Sequence, residues 1–238
     1  MSGDPPTTDH PDQDEFRAAE VESRYEAAPA VLVLVVIHAA TAIASKTGGW
    51  TLEHLPWWSW LMLAVPEAVL LLALSWSLPS RRLEVLGLRR EVSITLLTIV
   101  SIGNGVMLVA LIASVLSGHE MSGRDLLWKG GAVWSTNVIT FGLLFWEFDR
   151  GGPVRRREPD PALPDFQFPQ MENPQLAEPG WQPRLFDYMY VSFTNAIAFS
   201  PTDAMPMTRW AKALMLTESA ASSITVLVVA ARAVNILR

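Results

Sequence analysis

The chain has 238 residues, of which 50% are apolar and 18% charged, with a formal net charge of −6 at neutral pH. Cysteine is absent, which excludes disulfides, thiolate metal sites and cysteine nucleophiles. Apolar residues run in long windows swept clear of charge, a pattern that excludes a soluble globular domain and makes hydrocarbon the solvent for much of the chain.

The acidic excess gathers before Ala27, where Arg17 and Arg24 are the only cations. A leader of that sign does not bind nucleic acid, so residues 1–26 are expected to be a disordered, solvated cytoplasmic leader. The apolar run that follows contains Ala42-Ile43-Ala44, with the small-x-small spacing of a cleavage site. A secretory signal needs a basic n-region, so this run is expected to stay as an uncleaved first helix.

A window of about 20 residues, enough to cross roughly 30 Å of hydrocarbon, predicts spans at 27–45, 57–78, 92–116 and 132–148, and a last one at 208–234. Residues 184–200 carry a sixth apolar segment that barely reaches across a bilayer. The expected fold is therefore an all-α integral membrane protein with six transmembrane helices, or five plus a re-entrant hairpin at 184–200. Its parts are the leader, a four-helix region at 27–148, a Pro-rich cytoplasmic loop at 149–183 and a helix-turn-helix at 184–238.

Charge bias orients the chain. With six spans and both termini cytoplasmic, Arg17, Arg24, Arg81, Arg82, Arg89, Arg90, Arg150, Arg155, Arg156, Arg157, Arg184, Arg232 and Arg238 fall inside. Lys46, Arg124, Lys129, Arg209 and Lys212 fall outside. That is 13 to 5 in the positive-inside direction. A hairpin entering from the cytoplasm keeps the same ratio, because Arg209 and Lys212 trade faces with Arg232 and Arg238. A hairpin entering from outside reverses it.

Eight of the 17 prolines lie in 149–183, a density that blocks helix and strand. Phe166, Phe168, Met171, Leu176 and Trp181 give the loop more apolar payload than a free linker carries, so it is expected to lie over the cytoplasmic helix ends. Just before it, Glu147, Asp149 and Arg150 are set beside a Gly-Gly-Pro helix stop. Arg150, Arg155, Arg156 and Arg157 suit anionic lipid headgroups or a partner protein.

Intramembrane ionisable groups are site candidates because a charge there costs at least about 2.5 kcal/mol. His38, Glu67 and Glu218 qualify. Tyr188, Ser192 and Asn195 form one polar stripe at i, i+4, i+7, and Glu218, Ser222 and Thr225 form another. Asn104 and Asn137 add polar positions on the third and fourth spans. Two readings stay open: a polar path for ions or protons, and interhelical hydrogen-bond glue. Glu53-His54 and His119-Glu120 lack short ligand spacing, so no metal site is expected. No nucleophile–base pairing, phosphate loop or dinucleotide signature is present, so neither an enzyme nor a cofactor is expected.

The segment FDYMYVSFTNAIAFSPTDAMPMTRWAKALMLTESAASSITVLVVAARAVNIL, from Phe186 to Leu237, resembles the two-helix pore domain of potassium-channel-like proteins: an aromatic-rich helix, a filter, an Asp and an inner helix. Where such a filter has Thr-Val-Gly-Tyr-Gly, this chain has Ala196-Ile197-Ala198-Phe199-Ser200-Pro201. Without glycine dihedrals, stacked inward carbonyls are not expected. Ser200, Pro201 and Asp203 also suit a helix start by capping chemistry alone. The resemblance implies a channel-like protein without potassium-type selectivity and a homo-oligomer of four subunits; together with the intramembrane acids it makes Glu67, Glu218, Asn195 and Asp203 the expected path residues. The whole chain, including WEFDRGGP, resembles small bacterial polytopic membrane proteins without an assigned activity, which implies the bacterial inner membrane. The competing expectation is a structural or accessory membrane subunit.

Overall fold

A computed structural model describes residues 11–49, 55–75, 89–117, 123–157, 162–198 and 203–236. Among the described residues, six long helices carry the fold: α1 (Pro11–Gly48), α2 (Ser59–Ser75), α3 (Arg89–Leu116), α4 (Gly123–Phe148), α5 (Leu185–Ala198) and α6 (Arg209–Ile236). The same residues hold one pair of two-residue antiparallel strands, β1 (Phe166–Gln167) and β2 (Met205–Pro206).

Three stretches, Glu26–Gly48, Arg90–Leu116 and Arg209–Arg232, are long and apolar enough to cross a membrane, and Ser59–Leu72 is a shorter apolar helix. The first helix starts at Pro11, well inside the expected disordered leader. Ala-, Glu- and Arg-rich sequence favours helix, and Glu20 sits four residues before Arg24 in the orientation that supports it.

The helix richest in Gly, Ser, Thr and Asn is the central one. Helix α4 packs against α1, α3, α5 and α6, and all but a few of its residues from Ala132 to Glu147 are buried. Its polar side chains face other helices, where lipid does not reach. Gly142 lets α5 come close: a Cβ there would stand 2.6 Å from Met189 Sδ and 3.2 Å from Met189 Cα. The sulfur can swing away, but the backbone atom cannot. We expect Gly142→Ala to destabilise the protein by about 1–3 kcal/mol through overpacking. Gly131→Ala, which meets nothing within 4 Å, is the neutral control in the same thermal unfolding assay in detergent.

Helices α1 to α4 run up and down. Ala27, Leu70, Ser93 and Trp146 line one small cavity at one end, while Ala44, Gly48, Arg124 and Trp128 line another at the opposite end. Helix α5 breaks this alternation. It starts at the same end as the close of α4, with Tyr188 bonded to Asp149, and runs inward until Ser192 reaches Val138. The chain then returns to the end it came from: Met205 and Pro206 pair with Gln167 and Phe166, and Met207 N donates to Asp165 O at 2.8 Å.

Helix α6 therefore begins beside the start of α5 and runs parallel to it. Six alternating spans would place Trp210 at the far end, yet it packs on Phe148 and Phe166. The segment is too short to cross and still meet β1. The start of α1 and the end of α6 lie at opposite ends of α4. Glu26 of α1 accepts from Leu185 N at the α4 C-terminal end, whereas Val229 of α6 packs on Gly130 near the α4 start.

The Pro-rich loop caps the end where α4 finishes. Phe166 and Phe168 are fully buried in one core cluster with Phe145, Trp146 and Tyr188. Met171 and Trp181 pack against that cluster, while Leu176 is exposed. Contrary to the expectation from sequence, the proline density does not block regular structure altogether: β1, one α-helical turn at Pro169–Glu172 and 3-10 turns at Arg155–Arg157 and Pro174–Leu176 form within the loop, and the buried aromatic rings hold these short elements in place.

Candidate functional site

The two polar stripes meet as their spacing predicts. Ser192 and Asn195 project from α5 onto Glu218 of α6, which is fully buried. Asn195 Nδ2 donates to Glu218 Oε2 at 2.6 Å and to Met215 O at 3.0 Å. Its Oδ1 accepts from Ser219 Oγ at 3.0 Å. The amide is thus fixed in one orientation with all its groups used.

Ser192 determines the state of the acid. Its single hydroxyl proton has two oxygen neighbours, the Val138 carbonyl at 2.6 Å and Glu218 Oε1. The carbonyl is an obligate acceptor, so the inventory closes when Ser192 donates to Val138 and a protonated Glu218 donates to Ser192. Among the described residues, every partner of the Glu218 side chain is neutral, as burial of a lone carboxyl requires.

The network extends through α4. Asn137 Nδ2 donates to Ser222 Oγ at 3.1 Å and reaches Glu218 O at 3.5 Å. On the adjoining face of α4, Asn104 of α3 accepts from Thr136 at 3.3 Å and donates to Thr140 at 3.4 Å. Asn104 and Asn137 line a cleft of about 220 Å³ between α3, α4 and α6, with Thr217 and Thr225 on its α6 wall. Asn137 thus stands between the cleft and Glu218. Tyr188 leaves its stripe and turns to Asp149 instead.

Three of the candidate residues lie apart from the Glu218 network. Glu67 of α2 pairs with His38 of α1, both fully buried, with Nδ1 2.8 Å from Oε1 and 3.0 Å from Oε2. The indole of Trp60 lies tilted over the imidazole at 6.2 Å. This pair lies between α1 and α2, apart from the Glu218 network. Asp203 is half-buried at the return segment, where its charge acts on Asp187 in the first turn of α5. Ser200, Pro201 and the acid–histidine pairs Glu53-His54 and His119-Glu120 lie outside the described residues, as do Arg81 and Arg82.

A second buried polar centre escapes sequence reasoning. Asp149, fully buried, accepts from Asp165 N at 2.8 Å, Phe166 N at 3.2 Å, Tyr188 Oη at 2.5 Å and Arg156 Nη1 at 3.4 Å. Arg156 also donates to Tyr188 Oη at 2.6 Å. Asp165 returns the favour, accepting from Arg150 N at 3.0 Å and Trp210 Nε1 at 2.9 Å. The two aspartates thereby tie the ends of α4 and α5, the start of α6 and the Pro-rich loop into one cap. Arg150 Nε lies 4.0 Å from Asp149 Oδ2, and Arg156 is the closer partner at 3.4 Å. Asp165 beside two buried aromatics was the available signal, but nothing in its spacing tells which helix end it caps.

Comparisons with family models, curated proteins and solved structures returned no match to this chain.

Proposed function

We propose that the protein is a channel-like membrane protein that moves protons, with Glu218 as the group that carries them and Asn195, Ser192 and Asn137 as the donors and acceptors around it. The observation that supports this most is the fully buried Glu218, whose side-chain partners among the described residues are all neutral, next to Asn137, which touches the Glu218 backbone carbonyl and lines a largely apolar cleft. An intramembrane acid held by hydroxyl and amide groups can release and regain a proton through them without a buried counter-ion. On this reading His38, Glu67 and Asp203 lie outside the path.

The membrane frame belongs to the same proposal. Five spans with α5 as a re-entrant segment fit the parallel course of α5 and α6. The 13 to 5 excess of basic residues puts the α4 C-terminal cap in the cytoplasm of a bacterial inner membrane. The α1 start is then cytoplasmic and the α6 end is outside. The α5-and-return pattern has the outline of the pore segment it resembles, entered from the opposite face and without the filter glycines.

The absence of native cysteine makes this frame easy to test. Single cysteines replacing Leu163 or Met205, both exposed, are expected to react with an impermeant maleimide from the same side, and Leu116→Cys from the other. Six alternating spans would put positions 163 and 205 on opposite sides. For the activity, purified protein in liposomes is expected to carry a proton current under an applied voltage that persists when sodium and potassium are exchanged for a large organic cation. A current that vanishes with the exchange, or no current at any voltage or pH, overturns the proton reading.

One observation favours a second reading, an accessory subunit that presents a cytoplasmic surface: the Asp149 and Asp165 cap gives the Pro-rich loop a fixed shape. That reading predicts no flux and a partner that co-purifies through residues 149–183.

A further inference from the structure

Arginine nitrogens without a hydrogen-bond partner gather at the α4 stop. Arg150, Gly151 and Gly152 all take positive φ, at 53°, 84° and 105°, so the chain turns sharply and leaves no side chain at Gly151 and Gly152. Arginines fill the space around them. A Cβ on Gly152 would lie 3.7 Å from Arg90 Nε, and one on Gly151 would lie 3.7 Å from Arg155 Nη1. Arg150 and Arg156 both approach Asp149 Oδ2 from the side.

Four guanidinium groups thus converge on one turn, while the nearby carboxylates are Glu147, Asp149 and Asp165. The oxygens of Asp149 and Asp165 are already taken by the cap described above. Three buried guanidinium nitrogens, Arg90 Nε, Arg150 Nε and Arg156 Nη2, have no hydrogen-bond partner, and the Arg156 residue is only 3% exposed. A buried charged donor left without an acceptor is costly, and several such donors aimed at one turn define a place for an anion with several oxygens. Arg155 is exposed and Arg90 half-buried, so the place opens to the surface over a buried floor.

We propose that this turn is a phosphate-binding site, built from Arg90, Arg150, Arg155 and Arg156, for a phosphate monoester or diester. Guanidinium forks match the paired oxygens of phosphate, which a lysine cluster would not do. The site sits where α3 begins and α4 ends, the level at which anionic headgroups of a surrounding leaflet would lie. A lipid headgroup and free phosphate offer the same chemistry. The proposal is independent of the proton path.

The test uses the full chain in a neutral detergent, with thermal stability and native mass spectrometry read after adding phosphatidylglycerol, phosphatidylcholine or inorganic phosphate. Phosphatidylglycerol retained in preference to phosphatidylcholine, with about fivefold weaker binding in Arg90→Gln and in Arg150→Gln, supports the site and assigns it to lipid. Stabilisation by inorganic phosphate alone, lost in the same variants, supports it and assigns it to a soluble phosphate. Binding of neither, or binding unchanged in both variants while each remains folded, overturns the proposal. Arg150→Lys, which keeps the charge but loses the fork, should bind more weakly than wild type if the geometry matters and equally if only charge does. Equal binding would overturn the guanidinium assignment.

Discussion

Glu218→Gln is expected to fold as well as the wild type and to lose proton current by at least about tenfold, toward the ~10²–10⁴ that a positioned acid–base group contributes. The amide reproduces the neutral acid: its NH₂ donates to Ser192 Oγ where the carboxyl O–H did, and its oxygen accepts from Asn195 Nδ2. Since Gln offers the same hydrogen bonds without an exchangeable acidic proton, stability should move by no more than about 1 kcal/mol. Glu218→Leu breaks the pattern. It leaves the Asn195 amide and the Ser192 hydroxyl facing an apolar side chain, and each unsatisfied buried group costs about 1–3 kcal/mol. Current and unfolding should thus separate in the Gln variant and fall together in the Leu variant. A Gln variant with full current would remove Glu218 from the path, and one that fails to fold would contradict the neutral state assigned to it.

Asp149→Ala is expected to have the largest effect on stability, about 3–5 kcal/mol from leaving Arg156 as an uncompensated buried charge. Asp165 N, Phe166 N and Tyr188 Oη lose their acceptor in the same step. Against total stabilities of roughly 5–15 kcal/mol, that loss should open the Pro-rich loop. Limited proteolysis within residues 149–183 should then accelerate well before the helices unfold. Arg156→Met in the same chain removes the stranded charge and should recover part of the loss, a coupling that a double-variant cycle measures. A loss below about 1 kcal/mol for Asp149→Ala would show that the cap is held by its aromatic packing alone.

The sequence made the apolar helices and the two polar stripes legible, because both rest on local period. Ser192, Asn195 and Glu218 were named from spacing alone, and the fold brings them together. The spacing could not tell that Tyr188, one turn earlier on the same stripe, serves Asp149 instead. Pairing across helices lies outside what a periodicity carries: His38 and Glu67 are 29 residues apart, and each looked like a path residue until they met each other. The course of 184–200 was ambiguous for a physical reason. The 17 residues of 184–200 would rise only about 26 Å as a helix, at the limit of crossing a bilayer, and Arg209, Lys212, Arg232 and Arg238 balance so that the charge count is the same for both topologies. What supports the re-entrant course is a long-range contact, β1 with β2, between segments too short to be predicted as strands. Helix α4 was legible as a span at 132–148 from its apolar window, but that its Gly, Asn and Thr residues place it at the centre of the bundle was not.

The central claim is that Glu218 holds an exchangeable proton inside the bundle, and infrared difference spectroscopy of the protein in lipid tests it most directly. The account predicts a protonated-carboxyl carbonyl band at neutral pH that is present in the wild type, absent in Glu218→Gln, shifted by deuterium exchange and lost at alkaline pH. The same spectrum in both proteins, with no band assignable to Glu218, would show an ionised side chain and contradict the account.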